Sequence, residues 1–481
     1  MTETAVPTII PTPVGRIDLA RLHFVGIGGV GMAPLAKVCA LRGLSVSGSD
    51  QQESQALAML GLLGVGVHAQ HHARNVPADA TAVVITHAID ASNVEVQAAQ
   101  LRDIPVVHRS SVLNALLRGQ TSIGVLGTHG KTTTAAMIAC TLNRLEEEPS
   151  YVFGGAVSGP LSGGADGRGR VFVAEIDESD RTHTAVSVNV AVICDIEHDH
   201  VENYASVGEH IDAYEDFVRG MRPDGLVVLN IDSPAVRELA SRLALWEEGP
   251  RVVSVGFASG ATWRIEGAAC HGGRSTARLS GTGGVEWPLV LPVPGLHQLR
   301  NAALTVAVLN ALGSHASDVV EQLREFEGVR RRMSLACEDR GVRVYDSYAH
   351  HPTEVRADLA AAQSVASAGQ VIAVFQAPGA TRVEAFGAQF GEALAGADAV
   401  VLTDAVRPLG EEALVGLAAQ VAACGGTLLA VEVERAAAVA RAYEMAQMGD
   451  VVVLMGTGDL VAHGRELAPS QPAAEPVDAV A

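Results

Sequence analysis

The sequence predicts an α/β protein of three domains, and three observations predict it. The chain has 481 residues, and at roughly 150 residues per domain that length suits about three cores. Short apolar runs, each closed by a Gly or polar turn, alternate with helical stretches, which is the pattern of βαβ units and parallel sheets. Two glycine loops, at 26–31 and 127–130, each stand between an apolar run and a helical stretch.

The elements follow in order. His23–Ile27 reads as a strand and Pro34–Arg42 as its helix; Leu44–Ser47 and Ala82–Ile85 continue the first domain. A boundary near Gln120 precedes the strand Ser122–Leu126 and the helix Thr133–Asn143. Val171–Ala174 and Val190–Cys194 are strands that each end beside an acid. A β-rich insert is expected over 251–294, then a helix over Ser317–Phe326 and a second boundary near Gly328. The third domain has strands at Val342–Tyr345, Val371–Phe375, Ala399–Leu402 and Val451–Met455. The domains are thus 19–120, 121–328 and 329–465; residues 1–18 and 466–481, rich in Pro, Thr and Ala, are expected to be loose. No repeat of about 20–50 residues is present.

Composition excludes several classes. A hydrophobic share of 48% against 18% charged describes a globular chain, and 4% aromatics means that Ala, Val, Leu and Ile must build the cores. A net charge of −20 argues against nucleic-acid binding. It also requires any phosphate to be held by local dipoles and a few cations. Cys39, Cys140, Cys194, Cys270, Cys337 and Cys424 are scattered, with no CxxC pair, and read as reduced core residues of a cytosolic protein. The first 16 residues lack the basic and apolar regions of a signal peptide. No apolar run reaches the roughly 18–20 residues of a membrane span. A cytoplasmic protein with no membrane partner is expected, as a monomer or homodimer.

Chemistry concentrates at the glycine loops. Gly127-Thr128-His129-Gly130-Lys131-Thr132-Thr133-Thr134 follows a strand and opens a helix, the context of a phosphate loop. Its backbone N–H groups and helix N-terminus face an anion. Lys131 adds a charge near the β- and γ-phosphates, and the Thr132 hydroxyl is placed to hold Mg²⁺. The spacing departs from GxxxxGK[ST]: Val125 stands at the first glycine, with Gly124 one residue earlier. Glu175, 44 residues after Lys131, ends a strand and completes a candidate Mg²⁺ site. The run Cys194-Asp195-Ile196-Glu197-His198-Asp199-His200 suits a second metal or a substrate phosphate.

The loop Gly26-Ile27-Gly28-Gly29-Val30-Gly31 matches GxGxxG, and Asp50 lies 19 residues after Gly31. This unit fits a Rossmann-like dinucleotide fold. NAD is one ligand that fits; a UDP-sugar, which carries the same diphosphate, is another. Two nucleotide sites on one chain point to a reaction between an ATP-activated group and a nucleotide-linked substrate. ATP would turn a carboxylate into an acyl phosphate, which an amine then attacks.

HFVGIGGVGM at 23–32, GSD at 48–50, GTHGKTTT at 127–134, AEIDESD at 174–180, IEHDH at 196–200, PGLHQLRNA at 294–302, GVRRRM at 328–333 and DSYAHHPTEV at 346–355 follow one another in the order of the Mur ligases. The chain resembles that family over roughly residues 20–460. The resemblance implies a Rossmann-like first domain, a P-loop ATPase domain and a Rossmann-like third domain, with ATP and Mg²⁺ as cofactors. It implies UDP-N-acetylmuramate or a similar nucleotide-linked acid as one substrate and an amino acid, L-alanine expected, as the other. Gly28, Gly29, Gly31, Asp50, His71 and Arg109 would bind the UDP-sugar. Gly127, Thr128, His129, Gly130, Lys131, Thr132, Thr133, His297, Asn301, Arg331 and Asp346 would bind ATP. Thr132, Glu175 and His200 would hold metal. Tyr348 and His351 would face substrate, and Lys131, His200, His350 and Arg382 would carry the catalysis.

The chain departs from the family's pattern at four places. FQPHxYSRT reads Phe375-Gln376-Ala377-Pro378-Gly379-Ala380-Thr381-Arg382, in which the histidine, one basic residue and the tyrosine are missing and Arg382 stays in phase. DDYAHHP has Ser347 in place of an acid, DESDGSF has Arg181 in place of glycine, and the TN before IExDH is Cys194-Asp195. These changes leave altered acid or amine specificity, or a weakly active UDP-sugar- or ATP-binding paralogue, as alternatives to the L-alanine reaction. An NAD oxidoreductase would leave the phosphate loop unexplained.

Overall fold

A computed structural model describes residues 9–12, 15–157, 162–179, 182–281, 283–406 and 408–467. Arg181 and the tail from 468 lie outside them. The chain forms two compact units, Met1–Ala156 with Leu161–Val255 and Ala307–Ser314, and Val157–Pro160 with Gly256–Val306 and His315–Ala481.

The first unit begins with an antiparallel pair, Ile9–Thr12 and Gly15–Asp18. Backbone pairing thus reaches into the stretch expected to be loose. A five-stranded parallel sheet follows, ordered Gly66–Ala69, Ser45–Asp50, Arg21–Val25, Ala82–Ile85, Val106–His108. The chain order reverses at Arg21–Val25, so the glycine turn leaves the sheet at its switch point, where open α/β sheets bind ligands.

The second sheet is centred on Thr121–Leu126, which lies between Val171–Glu175 and Val190–Ile193, both parallel to it. Leu226–Asn230 and Arg251–Gly256 extend it on one side. The strands are nearly continuous apolar runs because helices cover both faces. Register delivers the chemistry: Glu175 pairs with Val125, and Ile193 with Leu126, so both neighbours end beside the loop after Leu126. Buried residues from Leu22 and Phe24 through Phe172 to Leu229 form one continuous core under both sheets. The boundary near Gln120 therefore separates two sheets within one compact unit.

The second unit contains an antiparallel meander, Trp263–His271, Arg274–Ser280 and Glu286–Leu291, within the predicted β-rich insert. Its six-stranded sheet is ordered Arg332–Asp339, Val342–Ser347, Val451–Met455, Val371–Gln376, Ala399–Thr403, Leu428–Glu432. The first pair is antiparallel and the rest are parallel. Three α/β sheets in chain order give the three-domain α/β architecture that the alternating pattern predicts. Four cysteines are buried, but Cys270 is half-buried and Cys424 is exposed, so these two are not core residues. Cys424 follows the last turn of the helix Glu411–Ala423, beyond its buried face.

Candidate functional site

The helix Lys131–Arg144 starts directly after Gly130, whose φ of 84° is left-handed and suits glycine. Gly127, at φ 132°, passes so close to its neighbour that a Cβ there would lie 2.7 Å from the Asp195 backbone nitrogen. Both glycines are required by backbone geometry, and they leave the helix N-terminus open to an anion. Thr128 Oγ1 accepts from the Glu197 backbone N–H at 2.9 Å, and His129 Nε2 lies 2.9 Å from Glu197 Oε2. These contacts tie the loop to the IEHDH segment.

Lys131 Nζ donates to Gly127 O at 2.6 Å and to both Glu178 oxygens at 2.9 Å. Burial alone would lower its pKa, but Glu178, Asp177 and Glu175 outweigh burial and raise it, so Lys131 stays charged. Burial raises the Glu178 pKa, and Lys131 opposes that rise. The contact of Lys131 Nζ with both Glu178 oxygens is the geometry of a charged pair. Thr132 Oγ1 donates to Glu175 at 2.9 and 3.1 Å, and Glu175 also accepts from Gly154 N–H at 2.7 Å. Thr133 is buried within the helix.

Asp177, Glu178 and His200 bring one ligand atom each within 4.8 Å of one another. His200 adopts φ 49°, a left-handed conformation that is uncommon outside glycine. It is held there because its carbonyl accepts from Asn203 N–H at 2.7 Å and its N–H donates to Asp199 Oδ1 at 2.8 Å. The Arg109 guanidinium reaches Asp177 at 3.4 Å. Burial pushes the Asp177 carboxyl up, but Lys131 and Arg109 outweigh it and hold it low.

In the first glycine loop, Gly28 N–H donates to Asp50 Oδ2 at 2.9 Å. A Cβ on Gly28 would lie 2.6 Å from Leu57 Cδ1, and one on Gly31 would lie 2.5 Å from Arg109 Nη1. Gly29 has more room. Next to the loop lies a buried carboxylate, Glu95. It accepts from Ser49 Oγ at 2.5 Å, Asn75 Nδ2 at 2.7 Å and His72 N–H at 3.0 Å, with His23 Nε2 at 3.3 Å. Ser49 gives its proton to Glu95, so His71 Nδ1, 2.8 Å from Ser49 Oγ, is the donor of that contact. This fixes the ring of the candidate uridine residue.

Burial pushes the Glu95 carboxyl up, but these hydrogen bonds hold it at about 2 against an ordinary 4.5. A carboxyl depressed by folding contributes stability that is complete above the unfolded-state pKa and lost as pH falls through the folded-state value. The stability advantage of the wild type over Glu95→Gln should therefore shrink as pH drops from about 4.5 to about 2. Urea melts across that window check this; a constant gap would show that the carboxylate is not held charged.

The second unit gathers a separate cluster. Arg331 Nη2 donates to Gly456 O and Gly458 O at 2.7 Å, and its Nε lies 3.7 Å from Asp346 Oδ1. Arg331 and Arg332 lie 4.7 and 5.3 Å from the Tyr348 ring centroid. His350 Nδ1 donates to Tyr348 O at 2.8 Å and lies 3.3 Å from Glu354. The Nδ1 of His351 accepts from Thr353 N–H at 3.4 Å and caps the helix Pro352–Ala366. Asn301 follows His297 by one helical turn on Leu296–Ala311. Gly295, at φ 122°, has no Cβ to run into the His297 ring. Arg382 sits partly exposed in the first turn of Ala380–Leu394.

Within the first unit, the structure brings Lys131, Thr132, Glu175 and His200 to one strand-end cluster, and Gly28, Gly31, Asp50, His71 and Arg109 to the switch point. Within the second, it brings Arg331, Asp346, Tyr348 and His350 together, with Arg382 on a separate helix. Sequence reasoning missed Glu178, Asp177 and Glu95 as individual residues. Only the first two carried a signal, the acidic run after Glu175.

Family models match three stretches: the Mur ligase family catalytic domain at 21–121, the Mur ligase middle domain at 125–309, and the Mur ligase glutamate ligase domain at 331–458. UDP-N-acetylmuramate–L-alanine ligase of Streptomyces avermitilis is 39% identical over 449 residues, covering 92% of this chain and 96% of that protein. The enzyme of the same name from Thermobifida fusca is 37% identical over 465 residues, covering 94% and 97%. The crystal structure of UDP-N-acetylmuramate–alanine ligase from Thermotoga maritima superposes with a TM-score of 0.79 at 29% identity, covering 93% of this chain and 98% of that one.

Proposed function

The chain belongs to the Mur ligase family, and on that premise we propose that it is an ATP-dependent ligase joining L-alanine to UDP-N-acetylmuramate, a step of peptidoglycan precursor synthesis. The observation that carries the reading is the charged Lys131–Glu178 pair at the mouth of a phosphate loop, beside the Thr132–Glu175 contact. The reaction belongs in the cytoplasm, where ATP is supplied.

A carboxylate oxygen of UDP-N-acetylmuramate attacks the γ-phosphorus of ATP. A new O–P bond forms, the bond to the bridging oxygen breaks, and ADP leaves. The neutral amine of L-alanine then attacks the acyl carbon; the C–N bond forms, the C–O bond to phosphate breaks, and the amine proton is lost. Lys131 stabilises charge on the transferring phosphoryl group, and the Gly127–Gly130 backbone cradles the phosphates. Gly28, Gly31 and Arg109 hold the UDP-sugar, with Asp50 and His71 toward the nucleoside.

The donor set fits Mg²⁺. Thr132 Oγ1 and Glu175 are hard oxygen donors already 2.9 Å apart. Asp177, Glu178 and His200 offer a second group. When bound, Mg²⁺ would supply positive charge that offsets the charge of the transferring phosphoryl group. His297, Asn301, Arg331 and Asp346 are the second unit's candidates for the nucleotide. His350, His351 and Tyr348 are its candidates for substrate.

Phosphate release from ATP, measured with UDP-N-acetylmuramate and a panel of amino acids, tests the reading. Release that depends on both the UDP-sugar and L-alanine supports it; release with neither, or with another acid only, overturns it.

One observation favours a second reading, altered amine specificity. In the segment 376–382, Gln376 is buried and accepts from Gly458 N–H at 2.8 Å, Pro378 is buried, and Arg382 is the segment's single cation. A charge-assisted hydrogen bond to a carboxylate contributes about 1.5–3 kcal/mol, so a missing cation weakens amino-acid binding roughly 10- to 150-fold. A high KM for L-alanine is therefore expected, or a preference for another amine. Steady-state kinetics with L-alanine, glycine and L-serine check it; a low KM with fast turnover on L-alanine would show that the missing groups are supplied elsewhere.

A further inference from the structure

The carboxylate buried beside the first glycine loop fixes the direction of the hydrogen bonds around it. Glu95 stands in the first turn of the helix Val94–Gln100 and is fully buried, as is Ser49. Asn75 Nδ2 and the His72 N–H donate to its Oε1 at 2.7 and 3.0 Å; Ser49 Oγ and His23 Nε2 lie 2.5 and 3.3 Å from its Oε2. The carboxyl is held at about 2, so at neutral pH it only accepts. Ser49 has one hydroxyl proton and gives it to Glu95. His71 Nδ1, 2.8 Å from Ser49 Oγ, must then carry a proton of its own. In the neutral ring that leaves Nε2 bare, as an acceptor. Among the described residues His71 Nε2 has no hydrogen-bond partner, and the side chain is 12% exposed.

The strand ends set where this acceptor stands. Asp50 ends Ser45–Asp50; its carboxylate accepts from Gly28 N–H at 2.9 Å and its carbonyl from Gln70 N–H at 2.6 Å. In this fold an acid at the end of the second strand takes the ribose hydroxyls of a nucleotide whose diphosphate lies on the glycine loop. The base then lies beyond the ribose, toward the third strand, Gly66–Ala69, and His71 follows closely on that strand's end.

We propose that Glu95 and Ser49 are positioning residues that fix the tautomer of His71, and that His71 Nε2 accepts from the N3–H of a uracil ring, selecting uridine over cytidine nucleotides. The inference rests on reading the first glycine loop as the UDP site. Uracil presents an N–H donor at N3, whereas cytosine presents a lone pair there. A bare Nε2 pairs with the first and repels the second. A group that only anchored the loop 70–75 would need hydrogen bonds, but no particular polarity at His71.

Glu95→Gln keeps the volume and reverses that polarity. The amide oxygen stays with Asn75 and His72, and the amide nitrogen, in the place of Oε2, donates to Ser49. Ser49 then gives its proton to His71 Nδ1, and the ring's own proton moves to Nε2. Calorimetry on the full-length protein at mildly alkaline pH measures affinity for UDP and CDP, which share the diphosphate. The wild type should prefer UDP by about 10-fold or more, the scale of one hydrogen bond lost and one group left unpaired. Glu95→Gln should lower the UDP/CDP ratio by about the same factor. In His71→Ala the ratio should be close to one, and adding Glu95→Gln should change it no further. Ser49→Ala leaves Nδ1 without its acceptor and should lower the ratio too, so it serves if Glu95→Gln does not fold. A wild type without preference, a folded Glu95→Gln or Ser49→Ala that binds both nucleotides less tightly at an unchanged ratio, or a ratio that still falls in the His71→Ala background overturns the inference. Binding is read without turnover, so a wild type that prefers UDP but releases no phosphate from ATP would contradict the proposed function and not this assignment.

Discussion

Lys131→Ala should lower ATP-dependent turnover by at least about 10²-fold, the scale of removing one preorganised donor from a charged transition state. The lysine follows the loop proposed to receive the phosphates, and it is held there by Gly127 O at 2.6 Å and Glu178 at 2.9 Å. Removing it also leaves Glu178, 3% exposed, without its counter-charge. Loss of the partner of a buried charge destabilises by about 3–5 kcal/mol. The variant therefore needs a melting curve beside its kinetics. Lys131→Met, which keeps the stem, and the double variant Lys131→Met/Glu178→Gln separate the two effects. Turnover that stays low in a double variant of restored stability assigns the loss to phosphate chemistry. Near-normal turnover in any folded Lys131 variant would show that this loop does not handle ATP.

Gly28→Val should act on the other substrate. Its Cβ would lie 2.6 Å from Leu57 Cδ1 and 3.0 Å from Asp50 Oδ2. The side chain would also stand where the backbone must approach a diphosphate. The KM for UDP-N-acetylmuramate should rise by about 10-fold or more, the scale of lost hydrogen bonds to a charged group, while the KM for ATP stays nearly constant. Thermal shifts give a second reading of the same site. Protection by UDP-N-acetylmuramate that is lost in Gly28→Val supports the assignment. Protection by NAD in place of the UDP-sugar would return the loop to a dinucleotide function.

What the sequence made legible was local. Gly26–Gly31 and Gly127–Gly130 could be found because a tight turn between a strand and a helix needs glycines at short spacing, and the positive φ values of Gly26, Gly127 and Gly130 agree. The interior strands Ala82–Ile85 and Val451–Met455 appeared at their observed bounds because they are apolar runs with sharp ends. Half-buried strands were harder. Leu428–Glu432 is only partly buried at every position, and Arg332–Asp339 alternates irregularly around two register shifts. Neither has a clean period for sequence to show.

The residues that complete the sites were hidden by distance along the chain. Glu178 meets Lys131 across 47 residues, and Glu95 meets Ser49 across 46. No short-range pattern encodes such pairs; the parallel crossovers create them. Asp358 is a milder case: it is 11 residues from Ser347, but the contact depends on how a helix packs on a strand end.

The central claim, that ATP activates the substrate carboxylate as an acyl phosphate, is tested most directly by following oxygen. UDP-N-acetylmuramate labelled with ¹⁸O in its carboxylate is incubated with the protein, ATP, Mg²⁺ and L-alanine, and the released phosphate is analysed by mass spectrometry. The account predicts one ¹⁸O in each phosphate, because the bond broken by the amine leaves a carboxylate oxygen on phosphorus, together with ADP and the L-alanyl amide. Unlabelled phosphate, or ¹⁸O in AMP, would contradict it.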